Sequence, residues 1–226
     1  HAEERRKLLK DFGLNMHRPV RPGAAWARVT ALGSYREVGR ACHFVTTNES
    51  RVMIDVGVNI ASDTDPMPYF TAPEALPLEK LDAVVLTHAH LDHAGMLPVL
   101  FKYGYRGPVY CTPPTRDLML LLQTDYLKVG GSEGKRAPYS MEDIRTCMKH
   151  VVDVDWDETT DIAPDIKLTF SNAGHILGSS AVHLHIGDGK HNIVFSGDQK
   201  YEKSWLFDAA NTRFPRVETL VIESTY

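Results

Sequence analysis

The stretch Thr87–Gly95 reads THAHLDHAG, and it decides the fold class and the chemistry predicted for this chain. It follows directly on Asp82–Thr87 (DAVVLT), a compact apolar run that is typical of a buried strand. Four side chains that can bind a metal therefore stand within six residues at the end of a strand. Because side chains alternate along extended backbone, we expect His88 and His90 to point the same way.

The ligand types predict a catalytic zinc centre. A turn after His90 would aim Asp92 and His93 at a second, neighbouring metal position. Imidazole and carboxylate ligands without thiolates are typical of catalytic zinc sites, whereas closed structural sites favour cysteine. A single histidine is usually structural, but His-x-His-x-Asp-His at the mouth of a strand is a specific signal.

Later strand ends supply what this motif lacks. His175 follows a predicted strand, and the glycines at 174 and 178 permit close backbone approach. Asp198 ends another predicted strand, in the sequence FSGD. One carboxylate can bridge two metals that lie about 3.5 to 4 Å apart. Asp55, at the end of an earlier strand, is expected to hold a ligand histidine in place.

The remaining elements predict a mixed α/β sandwich. Strands and helices alternate along the chain, but several strands are joined as hairpins, most clearly across Gly187–Lys190 (GDGK). A doubly wound parallel sheet would not contain such hairpins, so we expect two sheets with helices packed against them.

In their order, these motifs resemble those of the metallo-β-lactamase superfamily. The resemblance implies an αββα sandwich of the α/β class, of which this chain is the first, N-terminal part, with two Zn²⁺ ions at one sheet edge. The implied ligands of one zinc are His88, His90 and His175. The implied ligands of the other are Asp92 and His93, with Asp198 bridging the two ions, and Asp92 and Asp198 are the implied catalytic carboxylates.

Longer motifs make the chain similar to the β-CASP nucleases of that superfamily, in particular to archaeal homologues of the cleavage and polyadenylation specificity factor endonuclease. The matching stretches are Ala31–Cys42, Thr87–Gly95, Gly174–Ser179 and Phe195–Asp198. The terminal Glu223–Tyr226 (ESTY) resembles the acidic motif that opens the β-CASP insertion, which adds Glu223 to the catalytic candidates. The resemblance implies a zinc-dependent ribonuclease of RNA 3′-end processing and transcription termination, an endonuclease with 5′–3′ exonuclease action left open.

The same resemblance implies a domain boundary. Residues 1–23 are expected to be a basic helix and linker from an upstream domain of the KH RNA-binding type. Residues 24–226 are expected to be an incomplete metallo-β-lactamase domain that ends where the β-CASP insertion starts. On this expectation the chain is a fragment, and its activity in isolation stays open. Homodimers of the full-length protein, and RNA polymerase or processing factors as partners, are also implied.

Charge bears on the predicted RNA partner. The chain has 25 basic and 29 acidic residues, a net charge of -4, which by itself argues against nucleic-acid binding. Nine basic and four acidic residues in 1–40 leave a basic N-terminal arm, and two zinc ions would add positive charge at the site. Arg40 is an equal candidate for a phosphate contact and for a structural role. The acidic stretch Asp153–Asp165 is predicted to be a solvated surface loop.

The compartment predicted for this chain is the cytoplasm. The three cysteines are far apart and form no paired spacing, which is typical of a reducing environment. No apolar run approaches the roughly 18 to 20 residues that span a bilayer, so no membrane contact is expected.

Three other functions remain open on the sequence alone. A small-molecule hydrolase such as a thioesterase or lactamase would use the same zinc motif. A DNA nuclease would do so as well, because nothing at the metal reads a 2′-hydroxyl. A non-catalytic scaffold of a processing complex is the third alternative, although every ligand position in the matching region is intact, which argues against it.

Overall fold

The computed structural model describes residues 2–21, 26–62, 64–132 and 137–225, which form two β-sheets and a layer of helices. The strands of the first sheet are β1 (Ala27–Gly33), β2 (Cys42–Thr47), β3 (Arg51–Ile54), β4 (Ala83–Val85), β5 (Val109–Cys111) and β6 (Val151–Asp153). The strands of the second sheet are β7 (Thr159–Ala163), β8 (Ile166–Asn172), β9 (Ser180–Ile186), β10 (His191–Phe195) and β11 (Thr219–Val221). The helices are α1 (Ala2–Met16), α2 (Leu91–Ala94), α3 (Leu97–Lys102), α4 (Pro113–Ser132) and α5 (Met141–His150), with a 3₁₀ turn at Leu78–Lys80.

The first sheet has the order β1-β2-β3-β4-β5-β6. Strands β1 to β3 are antiparallel, whereas β3 to β6 run parallel to one another. Parallel neighbours end at the same edge of a sheet, so the residues that follow β3 and β4 come together there. This edge receives Asp55 from β3 and the Thr87–Gly95 motif from β4.

The second sheet has the order β11-β10-β9-β8-β7 and is antiparallel except for the parallel pair β10 and β11. The predicted hairpin across Gly187–Lys190 is confirmed, because β9 and β10 pair from Ile186 and His191 onward. Both hairpin glycines have positive φ, 58° at Gly187 and 78° at Gly189, as a tight turn between strands requires.

Two apolar cores hold the layers together. Val85, Leu184 and Phe195 belong to the core between the two sheets. Val84 and Leu100 belong to the core between the first sheet and the helices. Strand β4 is therefore buried on both faces, which is why its sequence is continuously apolar rather than alternating. The predicted mixed α/β sandwich is confirmed.

Helix α1 lies within the predicted basic helix and linker, extends to Met16 and packs on the rest of the chain. The ring of Phe12 is buried, and its centroid lies 5.6 Å from that of His150 at the end of α5. Arg5 donates hydrogen bonds to the carbonyls of Lys149 (2.5 Å) and Val151 (2.6 Å). The boundary predicted after residue 23 lies outside the described residues and stays a prediction.

The acidic stretch Asp153–Asp165 corrects a prediction, since it is not simply a surface loop. Its second half forms β7, an edge strand that pairs antiparallel with β8. Ile162 and Ala163 are buried against the second sheet, while Asp161 stays half exposed and faces Lys167. An edge strand tolerates such charges on its open side. Because carboxylates surround the short apolar run of β7, the sequence pattern does not indicate a strand here.

None of the helices in the described ranges combines the length and apolar character that crossing a bilayer requires.

Candidate metal centre

The Thr87–Gly95 motif forms the centre of the site. After β4 the chain runs extended to His90, which is the N-cap of the four-residue helix α2. His93 in α2 donates its backbone N–H to the His90 carbonyl at 3.0 Å, which closes a tight turn. The turn sets Asp92 and His93 beside His88 and His90, as the sequence predicts.

The second sheet contributes His175 and Asp198. His175 lies in the loop between β8 and β9, and Asp198 lies just after β10. Gly197 has a φ of 55°, and a Cβ there would stand 2.7 Å from Cβ of Thr87. A glycine is therefore needed where the end of β10 crosses the motif on the first sheet. The site is built at the edge where the two sheets meet.

Three imidazole nitrogens converge in a first group. Nε2 of His88 lies 3.1 Å from Nδ1 of His90, and Nε2 of His175 lies 3.2 Å from the same Nδ1. Oδ2 of Asp198 lies 3.9 Å from the His88 nitrogen and 3.6 Å from the His175 nitrogen. These four atoms face one common point.

Asp198 also belongs to a second group. Its other oxygen, Oδ1, lies 3.2 Å from Nε2 of His93, and the same nitrogen lies 3.8 Å from Oδ2 of Asp92. The two groups therefore share one carboxylate that directs a different oxygen to each. The structure brings all six predicted ligands together.

The geometry fits zinc. Zinc bonds to nitrogen of about 2.0 to 2.1 Å in a tetrahedral site place neighbouring ligand atoms about 3.3 Å apart. The distances of 3.1 and 3.2 Å within the histidine group are close to that value. Imidazole nitrogens and carboxylate oxygens, without sulfur, are the donor set of zinc sites that keep an open position.

Asp55 contacts the ring nitrogen of His93 that faces away from the centre, which is the position that the sequence analysis expects for it. Its Oδ2 lies 2.8 Å from Nδ1 of His93 and accepts a 2.8 Å hydrogen bond from the Thr87 hydroxyl, while Oδ1 accepts from the Thr87 backbone N–H at 2.8 Å. Asp55 is buried and has a φ of 59°, a left-handed conformation that aspartate tolerates better than most residues. The contact through Nδ1 leaves Nε2 of His93 facing the centre.

Burial and charge set the protonation of the histidines in opposite directions. Burial holds the pKa of His88 well below its ordinary value, and positive charge on His93 and the other neighbouring histidines lowers it further. Burial also lowers the pKa of His90. Burial also disfavours the charged form of His93. The Asp55 and Asp198 carboxylates outweigh this effect and raise the pKa of His93 to about 10. A bound metal would therefore displace a proton from His93.

Ser179 positions the His175 loop, and the sequence gives no direct sign of this role. Its buried hydroxyl accepts hydrogen bonds from the backbone N–H groups of His175 (3.1 Å) and Ile176 (3.2 Å). Thr112, before α4, donates to the Gly178 carbonyl at 2.7 Å and ties the same loop to the first sheet. The only sequence feature that could have suggested this role is Gly174–Ser179 (GHILGS), in which glycines flank a short loop that ends in a serine.

Glu223 lies near the centre but contacts the backbone. Its Oε1 accepts a 2.6 Å hydrogen bond from the backbone N–H of Gln199, the residue after Asp198. Glu223 lines the same cavity as Asp92, His93 and Asp198. Tyr226, the last residue of the predicted acidic motif, lies outside the described residues.

Arg40 does not fit the phosphate contact considered for it. The residue is 7% exposed. Its guanidinium binds both carboxylate oxygens of Glu37 at 2.7 and 3.0 Å, Oδ2 of Asp65 at 2.6 Å and the Tyr69 hydroxyl at 3.0 Å. Glu37 and Asp65 hold the pKa of Arg40 above its ordinary value. The side chain ties the β1–β2 connection to the loop before β4, which is its structural role.

Tyr35 and His43 form a pair that lines the same cavity as Glu223. The sequence gives no indication of this pair. The Tyr35 hydroxyl lies 3.0 Å from Nδ1 of His43, and the two rings meet edge to face. The sequence assigns no special role to His43, because a lone histidine on a strand carries no ligand spacing. Only the tertiary fold shows that it lies beside the centre.

Comparison with known proteins identifies related sequences. The sequence profile of the family described as Metallo-beta-lactamase superfamily matches residues 35–224. The chain is 58% identical over 226 residues to "Transcription termination factor FttA" of Methanosarcina mazei, covering 100% of this chain and 36% of that protein. A protein of the same name from Thermococcus kodakarensis is 52% identical over 232 residues, again covering 100% and 36%. The chain thus spans about a third of the length of the curated relatives it matches.

Solved structures show the same fold at low sequence identity. A metallo-β-lactamase from Cronobacter sakazakii with a HARLDQ motif superposes with a TM-score of 0.51 at 16% identity, covering 87% of this chain and 68% of that one. A protein of unknown function from Enterococcus faecalis superposes with a TM-score of 0.54 at 17% identity, covering 79% and 44%.

Proposed function

Since the chain belongs to the metallo-beta-lactamase superfamily, we propose that it carries the zinc centre of a ribonuclease that hydrolyses RNA phosphodiester bonds. The observation that carries this proposal is the convergence of six donors into two groups that share Asp198. Two adjacent metal positions are the arrangement that many enzymes use for in-line displacement at phosphorus. The name of the relatives, a transcription termination factor, supports RNA as the substrate.

The residues divide the chemical work between them. Bound here, two zinc ions would supply Lewis acidity that lowers the pKa of a water and polarises a phosphate. Asp92 has 35% of its side chain exposed, against 26% for Asp198, so we assign to Asp92 the proton that the attacking water loses. The water oxygen bonds to phosphorus as the bond from phosphorus to the leaving ribose oxygen breaks, and that oxygen takes up a proton from solvent to become a hydroxyl. Asp198 would fix the two metal positions relative to each other, because it offers one carboxylate oxygen to each group.

The other residues position these groups. Asp55 fixes the ring of His93, and Ser179 fixes the backbone of His175. Glu223 fixes the backbone directly after Asp198, so we propose that it supports the catalytic carboxylate as a positioning residue.

The wider role follows the relatives. We propose that residues 24–226 belong to a metallo-β-lactamase domain of the β-CASP type, and that the full-length protein acts in RNA 3′-end formation and transcription termination. Homodimers, and contacts with RNA polymerase or processing factors, are part of this proposal. Support comes from the full coverage of this chain by relatives named as transcription termination factors.

Exchange of the proposed proton acceptor tests the activity. In the full-length protein loaded with zinc, Asp92→Ala is expected to lower the rate of cleavage of a labelled single-stranded RNA at least about 100-fold, because general-base contributions are of that size. RNA binding, measured by fluorescence anisotropy, is expected to remain. Asp161→Ala removes a half-exposed carboxylate on β7 and serves as the matched control. Undiminished cleavage by the Asp92→Ala protein would contradict the assignment.

A substrate panel separates the proposed nuclease from the other functions open to this fold. Labelled RNA, the DNA of the same sequence and a thioester are offered to the same zinc-loaded protein, with and without a chelator. Chelator-sensitive cleavage of RNA alone is the expected result. Cleavage of the thioester alone, or of DNA alone, would overturn the choice of substrate. Full zinc occupancy with no hydrolysis of any substrate would indicate a scaffold.

A further inference from the structure

A cavity of about 490 Å³ opens beside the metal centre and extends away from it. Its lining includes Asp92, His93 and Asp198 of the centre together with Tyr35, His43 and Thr225. Cavities of about 300 to 1,000 Å³ are the usual size of small-ligand sites. A volume near the lower end of that range is sufficient for one nucleoside.

Tyr35 is held in one orientation by a less exposed partner. Its hydroxyl lies 3.0 Å from Nδ1 of His43, and its ring stands at 80° to the His43 ring with centroids 5.4 Å apart. The His43 ring in turn lies 5.2 Å from the buried Phe195, three residues before Asp198. Burial lowers the pKa of His43 to about 4, so the partner stays neutral near neutral pH. Tyr35 itself remains 45% exposed, which leaves ring surface open to a ligand.

The backbone around Tyr35 is held as firmly as its side chain. The residues on either side, Ser34 and Arg36, have φ values of 69° and 66°. Residues other than glycine, asparagine and aspartate rarely adopt this left-handed backbone conformation. Arg40 anchors the end of this segment through Glu37 and Asp65. The aromatic face is therefore presented by a rigid loop, which lowers the entropy lost when a ligand binds.

The cavity lining includes five carboxylates, of which Asp92 and Asp198 belong to the metal donor groups and Asp55 binds His93, and one exposed arginine that an anionic group of a ligand can reach. The Arg36 side chain is exposed and makes no ion pair with any of the residues that the structure describes, although it lines the cavity. Two of the carboxylates at the cavity are already engaged, because Glu37 binds Arg40 and Glu223 binds the Gln199 backbone. An aromatic face, hydroxyl groups and one free guanidinium match a base, a ribose and a phosphate respectively.

We propose that this cavity binds the nucleotide next to the scissile phosphate of single-stranded RNA, with its base stacked on Tyr35 and a phosphate on Arg36. The proposal rests on the proposed ribonuclease function and adds a substrate subsite to it. Single-stranded RNA follows because a base inside a duplex does not expose its face to an aromatic side chain. The role considered for Arg40 thus passes to Arg36, whose exposed side chain forms no ion pair within the described ranges.

Photo-cross-linking locates the base. A single-stranded RNA containing 5-iodouridine is bound to the zinc-loaded full-length Asp92→Ala protein, which is expected to keep RNA binding while cleaving at least about 100-fold more slowly, and irradiated; the cross-linked peptide is identified by mass spectrometry. The expected cross-link is on Tyr35. The matched control is Tyr103→Leu, which removes a tyrosine that is 60% exposed and does not line the cavity. A dominant cross-link on another residue would overturn the proposal.

Affinity measurements test the stacking. Tyr35→Leu is expected to weaken binding of the same RNA, measured by anisotropy, by about 5- to 100-fold, the range typical of one base–aromatic contact. Tyr35→Phe keeps the ring and is expected to bind within about threefold of the unchanged protein. Circular dichroism checks that each variant is folded. Equal affinity of the Tyr35→Leu and Tyr103→Leu proteins would overturn the proposal.

The failure of this proposal can be distinguished from the failure of the proposed function. If zinc-loaded protein cleaves RNA while Tyr35→Leu binds RNA normally, the ribonuclease stands and the subsite is wrong. If the unchanged protein neither binds nor cleaves RNA, both proposals are wrong.

Discussion

At the scale of single residues, the site depends on side chains that never face a substrate. Asp55 binds Nδ1 of His93 and both donor groups of Thr87, so one buried carboxylate fixes the segment just after β4 and a predicted metal ligand on α2. Its negative charge also helps to keep His93 cationic until a metal replaces the proton. Partners of this kind set both ring orientation and metal affinity.

Removal of that charge is expected to weaken metal binding. Asp55→Asn keeps the side-chain shape and tolerates the positive φ, but it removes the anion beside His93. Zinc affinity, measured by competition with a chromophoric chelator, is expected to fall about 10- to 100-fold. Asp161→Asn, on the edge strand β7, is the matched control and is expected to leave the affinity unchanged. An unaltered affinity in Asp55→Asn would show that the contact does not support the site.

Loss of the Ser179 hydroxyl is expected to loosen the His175 loop. Ser179→Ala leaves two backbone N–H groups without their acceptor, which is expected to lower the free energy of unfolding by about 1 to 3 kcal/mol in a urea titration. Ser132→Ala, at the exposed end of α4, removes a hydroxyl of the same kind and is expected to change it by less than about 0.5 kcal/mol. Equal effects of the two substitutions would refute the positioning role.

The sequence was sufficient to select the six candidate ligands and Asp55, and insufficient for the contacts of Ser179 and Arg40 around them. His88, His90, Asp92 and His93 share one short segment, so spacing alone reveals them. Apart from Glu37, the partners of Arg40 come from the loop before β4, at Asp65 and the residues that follow it. No local periodicity connects those positions, which is why Arg40 could equally be assigned to a phosphate.

At the scale of elements, the segment between β1 and β2 acts as one rigid unit. Three residues other than glycine in this segment have positive φ, at Ser34, Arg36 and Arg40. The guanidinium of Arg40 compensates for this strain by binding Glu37 and Asp65 and by stacking 4.6 Å from the Tyr69 ring centroid. The unit forms one wall of the cavity beside the metal centre.

Two matched arginine substitutions separate the structural from the binding role. Arg40→Met is expected to lower the free energy of unfolding by about 2 kcal/mol, because it removes several charge-assisted hydrogen bonds of a buried side chain. Arg36→Met makes the same chemical change, also at positive φ, and is expected to leave stability within about 0.5 kcal/mol. Urea titrations of both variants provide the check. A larger loss in Arg36→Met than in Arg40→Met would reverse the two assignments.

Strand β7 shows where sequence patterns fail for an element. Most long elements are predictable because their apolar residues repeat at strand or helix spacing, as in Ile166–Asn172. In Asp153–Asp165 the six carboxylates dominate the composition, and only Val154, Ile162 and Ala163 are buried. Pairing with β8 and the contact with the second core stabilise this strand, and both involve partners that a local pattern does not contain.

At the scale of the whole molecule, the centre joins the two sheets. The first sheet provides the Thr87–Gly95 motif and Asp55, and the second provides His175 and Asp198. A metal bound here would link the two halves of the sandwich. This arrangement also explains why the sequence could predict the ligands, since each one follows a strand end.

Folding of the whole molecule is expected to depend on pH through His183. Its Nε2 is buried without a hydrogen-bond partner in the described part of the chain, and burial, aided by His185, lowers its pKa to about 4. The unfolded chain takes up this proton below about pH 6.5 and the folded chain does not, so stability is present above pH 6.5 and is lost as the pH falls towards 4. Between pH 7.5 and 5.0 this residue is expected to cost about 2 kcal/mol.

Urea titrations of metal-free protein at both pH values measure this dependence. His183→Gln removes the titrating group, and its loss of stability between pH 7.5 and 5.0 is expected to be smaller than that of the unchanged protein by about the same 2 kcal/mol. His191→Gln, at the start of β10, is the comparison. An identical pH dependence in the unchanged and His183→Gln proteins would contradict the account.

The most direct test of the whole account is the zinc content of the purified protein after dialysis, measured by elemental analysis. Two groups of donors that share Asp198 predict about two equivalents of zinc per chain, and Asp198→Asn is expected to reduce this number, since it removes the shared carboxylate. Less than half an equivalent in the unchanged protein, after incubation with excess zinc, would contradict the two-metal centre on which the proposed ribonuclease depends.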